Sequence, residues 1–396
     1  MAESAAGRIE ILVLNEIAQA GLARFPDARY SIAKEARAPD AILVRSRDLH
    51  AYAFGASVKA VGRAGAGVNN IPVAELTRRG IPVFNAPGGN ANAVKELVLA
   101  GMLIAARNLV PALDFVRGLG GAGTEMDKRV EDGKKAFAGR ELMGRTLGVI
   151  GLGKVGSLVA DAAIRLGMEV IGFDPEITVD AAWSLPSQVR RAASVAEVLK
   201  ASDFVSLHVP LVDKTRGLIG AHNFANMRRG AVLLNFARDG VVEERALLDA
   251  LAGGALKGYV TDFPAAALAG RQGVVALPHL GASTEEAEEN CAVMVVDQLR
   301  EFLEHGNVRN AVNFPDAAME RESRDRLAIA HANVPDMLAR ISHALGARRV
   351  NIHNMLNKSR GDTAYTLLDV DGEVPAAVLD ELRGIEGVRA VRDLAA

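Results

Sequence analysis

Short apolar runs alternate with longer amphipathic stretches along most of the chain. The first of these runs lie at residues 9–14, 41–45, 58–62 and 81–84. The alternation returns between residues 146 and 277, again with helical or polar segments between the apolar runs. Apolar strands that alternate with helices form parallel sheets covered by helices. The pattern therefore predicts two α/β units with Rossmann-like parallel sheets, one before residue 140 and one after it.

The order of elements changes toward the C-terminus. A predicted helix at 285–304 opens with Ser283-Thr284-Glu285-Glu286, a cap-like start with acidic residues in its first turn. A charged segment follows at 316–326, and residues 327–394 then show the order strand, helix, strand, strand, helix, strand. This βαββαβ order predicts a small ferredoxin-like domain. By contrast, we expect the glycine-rich and then charged segment 118–135 to form surface with little helix.

A glycine-rich turn stands at the end of the apolar run 146–150. Its sequence is Gly151-Leu152-Gly153-Lys154-Val155-Gly156, and a helical pattern, a second apolar run and Asp174 follow. In such a turn the first glycine permits the bend, the second lets the backbone approach a pyrophosphate, and the third lets the helix lie close to the strand. The acid after the second strand binds ribose hydroxyls. The segment predicts an NAD site, with an ordinary glycine-rich loop as the alternative.

Composition narrows the classes of function. The chain has 396 residues, of which 49% are apolar, and a net charge of −2, which favours two or three globular domains and gives no indication of nucleic-acid or membrane binding. Cys291 is the sole cysteine, so a disulfide within the chain is excluded. We find no secretory signal, no long apolar segment, no metal-ligand spacing and no Gly-x-Ser-x-Gly motif. We therefore expect a cytoplasmic protein without a metal ion.

Three segments that follow apolar runs carry the side chains that a dehydrogenase needs. Hydride transfer from an alcohol requires a cation for the substrate carboxylate and a base for the hydroxyl proton. Arg238 and His279 each follow an apolar run, and ligands of open α/β sheets lie at the carboxyl ends of strands. Arg45 and Ser46 end an earlier run and suit an anion such as phosphate. The alternatives are a surface arginine, a structural loop histidine and an exposed turn.

Further segments match one known family over most of the first 315 residues. They are Val44-Arg45-Ser46, residues 62–70, residues 84–87 with Asn90, the glycine turn, residues 207–211 with Thr215, residues 235–240 and residues 278–284. Through these segments the chain resembles the D-3-phosphoglycerate dehydrogenases of the D-2-hydroxyacid dehydrogenase family, in the form that carries a C-terminal ACT domain. In that family the active site is a cleft between two domains that close on the substrate.

The resemblance implies a role for each candidate residue. Arg238 would hold the substrate carboxylate and His279 would be the general acid and base. The residues implied to hold the rest of the substrate are Arg45 and Ser46 at the 3-phosphate, with backbone at Ala66 and Gly67 against the carboxylate. The residues implied to line NAD are Gly151, Gly153, Lys154, Val155, Gly156, Asp174, His208, Val209, Pro210, Thr215, Asn235, Ala237, Asp262 and Gly281.

The resemblance also implies a domain plan and an assembly. The domains would be a discontinuous substrate domain (1–95 and 282–315), an NAD domain (96–281), a linker (316–326) and an ACT domain (327–396). ACT domains bind small amino acids, and the positions that match serine-holding residues of regulated relatives are His331, Asn333 and Asn351. The glycine usual in this loop is Asp336 here, so an L-serine effector and a purely dimerising domain both stay open. A homodimer through the helices after Asn92 is implied, with a tetramer through ACT pairing.

One departure concerns the acid that usually pairs with the histidine. The family's glutamate falls on Ala267, whereas a carboxylate there would favour the protonated imidazole and fix its ring. Either Asp262, Glu286 or a partner-chain residue replaces it, or the enzyme works at a reduced rate, or catalysis has been largely lost. The implied reaction is NAD-dependent oxidation of 3-phospho-D-glycerate to 3-phosphohydroxypyruvate, the first step of L-serine biosynthesis. The alternatives are a reductase of 2-oxoglutarate or hydroxypyruvate and a regulator that binds NAD and amino acids.

Overall fold

The computed structural model describes residues 7–120 and 124–394, and the chain divides into two compact units. One unit contains Met1–Asn90 and Glu285–Ala396, and the other contains Ala91–Thr284. The chain therefore passes between the units near residues 90 and 285, a few residues from the predicted boundaries. The C-terminal segment that we expect to be a separate domain belongs to the first unit.

The N-terminal part of the first unit is a five-stranded parallel sheet. Its strands are β1 (Ile9–Leu14), β2 (Tyr30–Ala33), β3 (Ala41–Val44), β4 (Ala60–Arg63) and β5 (Val83–Phe84), in the spatial order β2-β1-β3-β4-β5. Two short helices, α1 (Gln19–Leu22) and α2 (Val73–Arg78), lie between strands. Strand β3 is buried at every residue, as expected of a sheet covered on both faces. The sequence does not predict β2, because its four residues are too few to show a period.

The second unit is a seven-stranded parallel sheet, as predicted. Its helices are α3 (Ala91–Ala106), α4 (Leu109–Arg117), α5 (Thr124–Gly133), α6 (Lys154–Arg165), α7 (Val179–Trp183), α8 (Val195–Ala201), α9 (Ala221–Phe224) and α10 (Glu244–Ala252). Its strands are β6 (Thr146–Ile150), β7 (Glu169–Phe173), β8 (Arg190–Arg191), β9 (Phe204–Leu207), β10 (Ala231–Asn235), β11 (Leu256–Thr261) and β12 (Val274–Ala276). The order β12-β11-β10-β9-β6-β7-β8 reverses direction between β6 and β9, where α/β sheets bind ligands.

The segment 118–135 contains a helix that we do not predict from the sequence. Helix α5 occupies most of it, apart from residues 121–123, which lie outside the described part of the chain. Acidic Glu125 and Asp127 in the first turn favour a helix start. The centroids of the Phe115 and Phe137 rings lie 5.3 Å apart. A Cβ on Gly133 would lie 2.2 Å from the Phe115 ring. Gly133 therefore allows a tertiary contact that outweighs the weak local helix signal.

Helix α4 presents apolar side chains to solvent. Leu109, Leu113 and Val116 are 41%, 56% and 50% exposed, and no residue of the helix is buried. Helix α3 before it is partly buried, with Val98 and Met102 fully enclosed. Within the described residues, no single helix is long and apolar enough to cross a membrane. Helices α3 and α4 have the required length and apolar composition only when taken together, and they are bent by 67° where they meet.

The C-terminal part of the first unit is a four-stranded antiparallel sheet with two helices. It follows the long helix α11 (Glu285–His305) and consists of β13 (Asp325–Ala332), α12 (Met337–Gly346), β14 (Ile352–Arg360), β15 (Thr363–Val370), α13 (Ala376–Gly384) and β16 (Val388–Asp393). The strand order β14-β15-β13-β16 and the antiparallel pairing confirm the ferredoxin-like prediction. Residues such as Leu368 on one face pack against α12 and α13, while Ala328 and Tyr365 on the other belong to the core that contains α11.

Side chains of this C-terminal sheet cap the end of α11. Arg392 lies 4.2 Å from the centroid of the Phe302 ring and donates to two carbonyl oxygens of the last helical turns, at 2.9 and 3.2 Å. Arg326 donates to the carbonyl oxygen of His305 at 3.1 Å, and the Tyr365 hydroxyl donates to the next carbonyl at 2.7 Å. The end of a helix carries unpaired carbonyls and partial negative charge, so two guanidinium groups stabilise it. These contacts join the predicted domain to the first unit.

Arg326 is itself held by a buried carboxylate. Its side chain and that of Asp369 are both 0% exposed, and two of its N–H groups donate to the two Asp369 oxygens at 2.6 and 2.9 Å. The other donors reach the carbonyl oxygens of His305, Met319 and Glu320, so all five N–H groups have acceptors. Burial acts to raise the pKa of Asp369, but the hydrogen bonds from Arg326 and from the Glu322 N–H, together with the charges of Arg326 and Arg321, lower it below its ordinary value.

Candidate active site

The glycine turn of the second unit has a distinct geometric requirement at each glycine. Gly151 has φ +92°, and a Cβ there would lie 2.5 Å from the carbonyl oxygen of His208. A Cβ on Gly156 would lie 1.9 Å from the carbonyl oxygen of Gly151, so α6 can approach β6 only with glycine here. A Cβ on Gly153 meets no described atom within 4 Å, which leaves open space at the start of α6. A pyrophosphate fits that space, against the free N–H groups of the helix.

Asp174 stands beside this turn at the end of β7. Its Oδ2 accepts the N–H of Leu152 at 2.8 Å, and its Oδ1 accepts the N–H of Glu176 at 2.9 Å. Each oxygen keeps a lone pair for a ribose hydroxyl. The carboxylate is therefore fixed, acceptor-only and suited to NAD rather than to a cofactor with a 2′-phosphate.

A cavity of about 790 Å³ joins the turn to a distant segment of the chain. The residues lining it include Gly151, Gly153, Asp174, Val209, Pro210 and Thr215. His208 at its wall is half-buried, its Nε2 lies 2.8 Å from the Ser206 hydroxyl, and burial lowers its pKa to about 4. The ring is thus neutral at physiological pH and adds no charge beside the cofactor. Lys154 and Val155 open α6 next to the cavity.

The side chains predicted for catalysis follow neighbouring strands of the same unit. Asn235 ends β10 and fixes the turn after it, because its amide donates to the carbonyl oxygen of Arg238 at 3.1 Å and accepts the N–H of Ala237 at 3.2 Å. The same amide donates to the Tyr259 hydroxyl at 3.2 Å. The His279 ring follows β12 and lies 4.9 Å from the Phe263 ring, centroid to centroid. The structure therefore presents Arg238 and His279 at one edge of the sheet.

Asp262 follows β11 and lies within electrostatic reach of His279 and Arg238. It is 1% exposed; its Oδ2 accepts the N–H of Gly281 at 3.1 Å, and its Oδ1 is buried without a hydrogen-bond partner among the described residues. Burial raises its pKa, while the charges of His279 and Arg238 act in the opposite direction. Ala267 lies in a single 3₁₀ turn, Ala266–Leu268, and offers no carboxylate. Asp262 is thus an acid of the second unit that interacts electrostatically with His279.

In the first unit, two asparagines fix the segment that carries Arg45. The Asn15 Oδ1 accepts the N–H groups of Arg45, Ser46 and Arg47 at 3.0–3.2 Å. Asn70 donates to the carbonyl oxygens of Arg45 and Arg47 at 3.3 and 2.8 Å. Backbone N–H groups of this segment are thus already engaged, so a ligand here would have to be met by side chains such as that of Arg45.

A second cation that the sequence analysis missed lies on the neighbouring strand. Arg63 ends β4 directly opposite Val44 of β3, and its Nε donates to Asn70 Oδ1 at 3.1 Å. The same rule that selects Arg238, a cation at the carboxyl end of a parallel strand, would have found it. The loop after it contains Ala66 and Gly67, and Asn85 donates to the Ala66 carbonyl oxygen at 2.5 Å.

The three predicted effector residues lie at the ends of strands β13 and β14. His331 is 2% exposed, and its ring nitrogens lie 2.8 Å from the Ala332 carbonyl oxygen and from the Thr366 hydroxyl. Asn333 donates to the Gly361 carbonyl oxygen at 3.0 Å, and Asn351 donates to the Asp371 carboxylate at 2.7 Å. Their role in binding an effector stays a prediction, and His331 would have to exchange one of its partners.

Known proteins resemble the chain over most of its length. Residues 102–281 match the NAD-binding domain of the D-isomer specific 2-hydroxyacid dehydrogenases. The D-3-phosphoglycerate dehydrogenase of Haemophilus influenzae is 33% identical over 348 residues, which cover 85% of this chain and 81% of that protein. The chain belongs to the D-3-phosphoglycerate dehydrogenase branch of this family.

Other members of the family agree with this assignment. The D-3-phosphoglycerate dehydrogenase of Methanocaldococcus jannaschii is 39% identical over 273 residues, 67% of this chain, and the match covers 49% of that protein. The chain therefore spans about half the length of that curated relative. An NAD⁺-bound 3-phosphoglycerate dehydrogenase from Entamoeba histolytica has a TM-score of 0.61 and 25% identity, over 77% of this chain and 99% of its own. The predicted family and the NAD cofactor are thus confirmed.

Proposed function

We propose that this protein oxidises 3-phospho-D-glycerate to 3-phosphohydroxypyruvate with NAD, the first step of L-serine biosynthesis. The observation that carries the proposal is the pair of cations, Arg45 and Arg63, at adjacent strand ends of the first unit. An unphosphorylated 2-hydroxy acid with a single carboxylate, such as D-glycerate, has one anionic group, for which Arg238 suffices. A phosphate adds a charge of about −1.5 to −2 at neutral pH and calls for further cations. The names of the relatives support the same substrate.

The residues of the second unit supply the proton chemistry. Bound NAD would supply the hydride acceptor. His279 would take the hydroxyl proton, since imidazole is suited to general base catalysis near neutral pH. Arg238 would hold the carboxylate, with bidentate geometry available to its guanidinium. The buried Asp262 carboxylate would favour the imidazolium that forms, which is the task of the family's glutamate.

A less selective 2-hydroxyacid reductase is the second candidate, and the alanine at 267 is the observation that favours it. Without the family's orienting carboxylate at position 267, His279 would depend on Asp262, which interacts with it electrostatically. Loss of an orienting partner lowers activity by about 10- to 100-fold in comparable sites. A slow enzyme that reduces 2-oxoglutarate or hydroxypyruvate, or a regulator that binds NAD without turnover, would tolerate such a loss.

One assay separates these candidates. NADH formation is measured with 3-phospho-D-glycerate and with D-glycerate, for the wild type, Arg45→Ala and the exposed control Arg78→Ala. The proposal expects kcat/KM for the phosphorylated substrate to fall at least tenfold in Arg45→Ala, with D-glycerate and the control unchanged. Equal loss on both substrates would favour the unselective enzyme. Absence of turnover together with normal NAD binding would favour the regulator.

We further propose that the chain acts as a cytoplasmic homodimer joined through α4, with the C-terminal sheet as a second contact in a tetramer. The exposed residues Leu109, Leu113 and Val116 support this, since they repeat at helical spacing on one face. L-serine as an effector of the C-terminal domain is the accompanying hypothesis. Sedimentation of the wild type and of Leu113→Asp tests the dimer, and activity against millimolar L-serine tests the effector.

A further inference from the structure

The cation proposed to hold phosphate is already paired with a carboxylate. Arg45 Nη2 lies 2.5 Å from Oε1 of Glu288, in the first turns of α11. The two side chains are 35% and 39% exposed, so the pair is open to solvent and to a ligand. No local sequence pattern indicates this contact, because 243 positions separate the two residues.

The charged groups around this pair form one small cluster. Arg63 lies on the strand next to Arg45, and Cys291 follows Glu288 by three positions on α11. Burial raises the pKa of the Cys291 thiol, the charges of Arg63 and Arg45 lower it, and that of Glu288 raises it. The thiol therefore interacts electrostatically with Arg63, Arg45 and Glu288. The two cations and the carboxylate thus all lie near Cys291.

We propose that Glu288 is a specificity-determining residue that competes with the substrate phosphate for Arg45. The proposal rests on the function proposed above. A phosphate that reaches Arg45 must displace Glu288 or lie beside it, and in either case two anions share one guanidinium. Glu288 thus weakens the binding of every phosphorylated ligand. Inorganic phosphate and esters without a 2-hydroxy acid group lack the carboxylate proposed to bind Arg238, so the same weakening would leave them with the lowest affinity.

The size of the effect follows from Coulomb's law. Two unit charges about 5 Å apart repel by an amount that changes affinity about fourfold in water and more than a hundredfold at an effective dielectric constant of about 20. The pair is more than a third exposed, so solvent screens it and the lower end applies. We expect removal of the Glu288 charge to strengthen phosphate binding about four- to tenfold.

The test uses the full chain with Glu288→Gln and Glu288→Ala. Glutamine keeps the shape and can still accept from Arg45 without the charge, whereas alanine removes both. If Glu288 competes, both variants lower KM for 3-phospho-D-glycerate about four- to tenfold and leave KM for D-glycerate unchanged. The neighbouring exposed Glu289→Gln is the control and should match the wild type.

A second measurement separates this proposal from the proposed function. Calorimetric titration with inorganic phosphate needs no turnover and should show the same four- to tenfold tighter binding in both variants, decreasing as salt is added. A weaker phosphate affinity in Glu288→Ala would overturn the proposal, because Glu288 would then be holding Arg45 in place for the ligand. Unchanged affinity in both variants would overturn it as well. Tighter phosphate binding without turnover would uphold it while the proposed reaction fails.

Discussion

Substituting two glycines of the nucleotide turn should separate loss of cofactor binding from loss of stability. A Cβ on Gly153 meets no described atom within 4 Å, whereas one on Gly156 lies 1.9 Å from a backbone oxygen. Gly153 also has φ −70°, which alanine adopts without strain. We therefore expect Gly153→Ala to keep the fold of the free protein and Gly156→Ala to disturb it.

The magnitudes follow from the two environments. Overpacking costs about 1–3 kcal/mol, and 1 kcal/mol shifts Tm by about 2–4 °C in a domain of about 150–250 residues. Gly156→Ala should therefore lower Tm by about 2–12 °C. In Gly153→Ala the added methyl group would overlap with another atom only when a pyrophosphate lies beside residue 153. The Tm of the free protein should therefore stay unchanged. The Kd for NAD should then rise about 5- to 150-fold.

Thermal unfolding with and without NAD measures both effects. At a NAD concentration of 100 times the wild-type Kd, binding stabilises the wild type by about 2.7 kcal/mol. A Kd raised about 50-fold reduces that gain to about 0.6 kcal/mol. Gly120→Ala in the same unit, where a Cβ also meets no described atom within 4 Å, is the matched control. If NAD raised the Tm of Gly153→Ala as much as that of the wild type, the pyrophosphate would not lie against Gly153. If the Tm of this variant without NAD were lower than that of the wild type, the space beside Gly153 would not be open.

Three further substitutions test the proton chemistry and the core. Ala267→Glu should move the histidine-dependent limb of the pH–rate profile to higher pH, and an unchanged profile would show that this position does not reach His279. Asp262→Asn should move that limb to lower pH. Because folding raises the pKa of Asp262, its charge destabilises the native state above the unfolded pKa, so this variant should unfold at a higher Tm than wild type at neutral pH and at an equal Tm in acid. Arg326→Met should lower the free energy of unfolding by about 3–5 kcal/mol, since Asp369 would stay buried without its partner. Chemical denaturation measures this loss, and recovery in the double variant Arg326→Met/Asp369→Leu checks its cause.

Sequence reasoning succeeded where the signal is local. Gly151, Gly156 and Asp174 lie within one strand–turn–helix–strand unit, so their spacing alone predicts their geometry. Helix α5 escaped prediction because its polar sequence has no broad apolar face, and its last residue, Gly133, packs against the distant Phe115 ring. Propensity is a weak guide where tertiary packing decides.

Contacts between distant segments could not be predicted. Glu288 appears in the sequence as one of several acids near a helix start, and nothing local connects it to Arg45. Arg326 and Arg392 look like ordinary surface charges within strands, yet Arg326 is buried and Arg392 half-buried against the end of α11. In each case the partner is supplied by the three-dimensional fold.

The capping of α11 by β16 has a consequence for folding during synthesis. The second unit ends at Thr284, so all its strands are available once that residue leaves the ribosome. The first unit begins at the N-terminus but is closed by Arg392, which caps α11 from the last strand. Since domains generally fold as units, the N-terminal sheet completes its core only after the whole second unit and then α11 and β16 have been made. We therefore expect its apolar strands, β1 and β3 among them, to lack the side of their core that α11 covers throughout that interval.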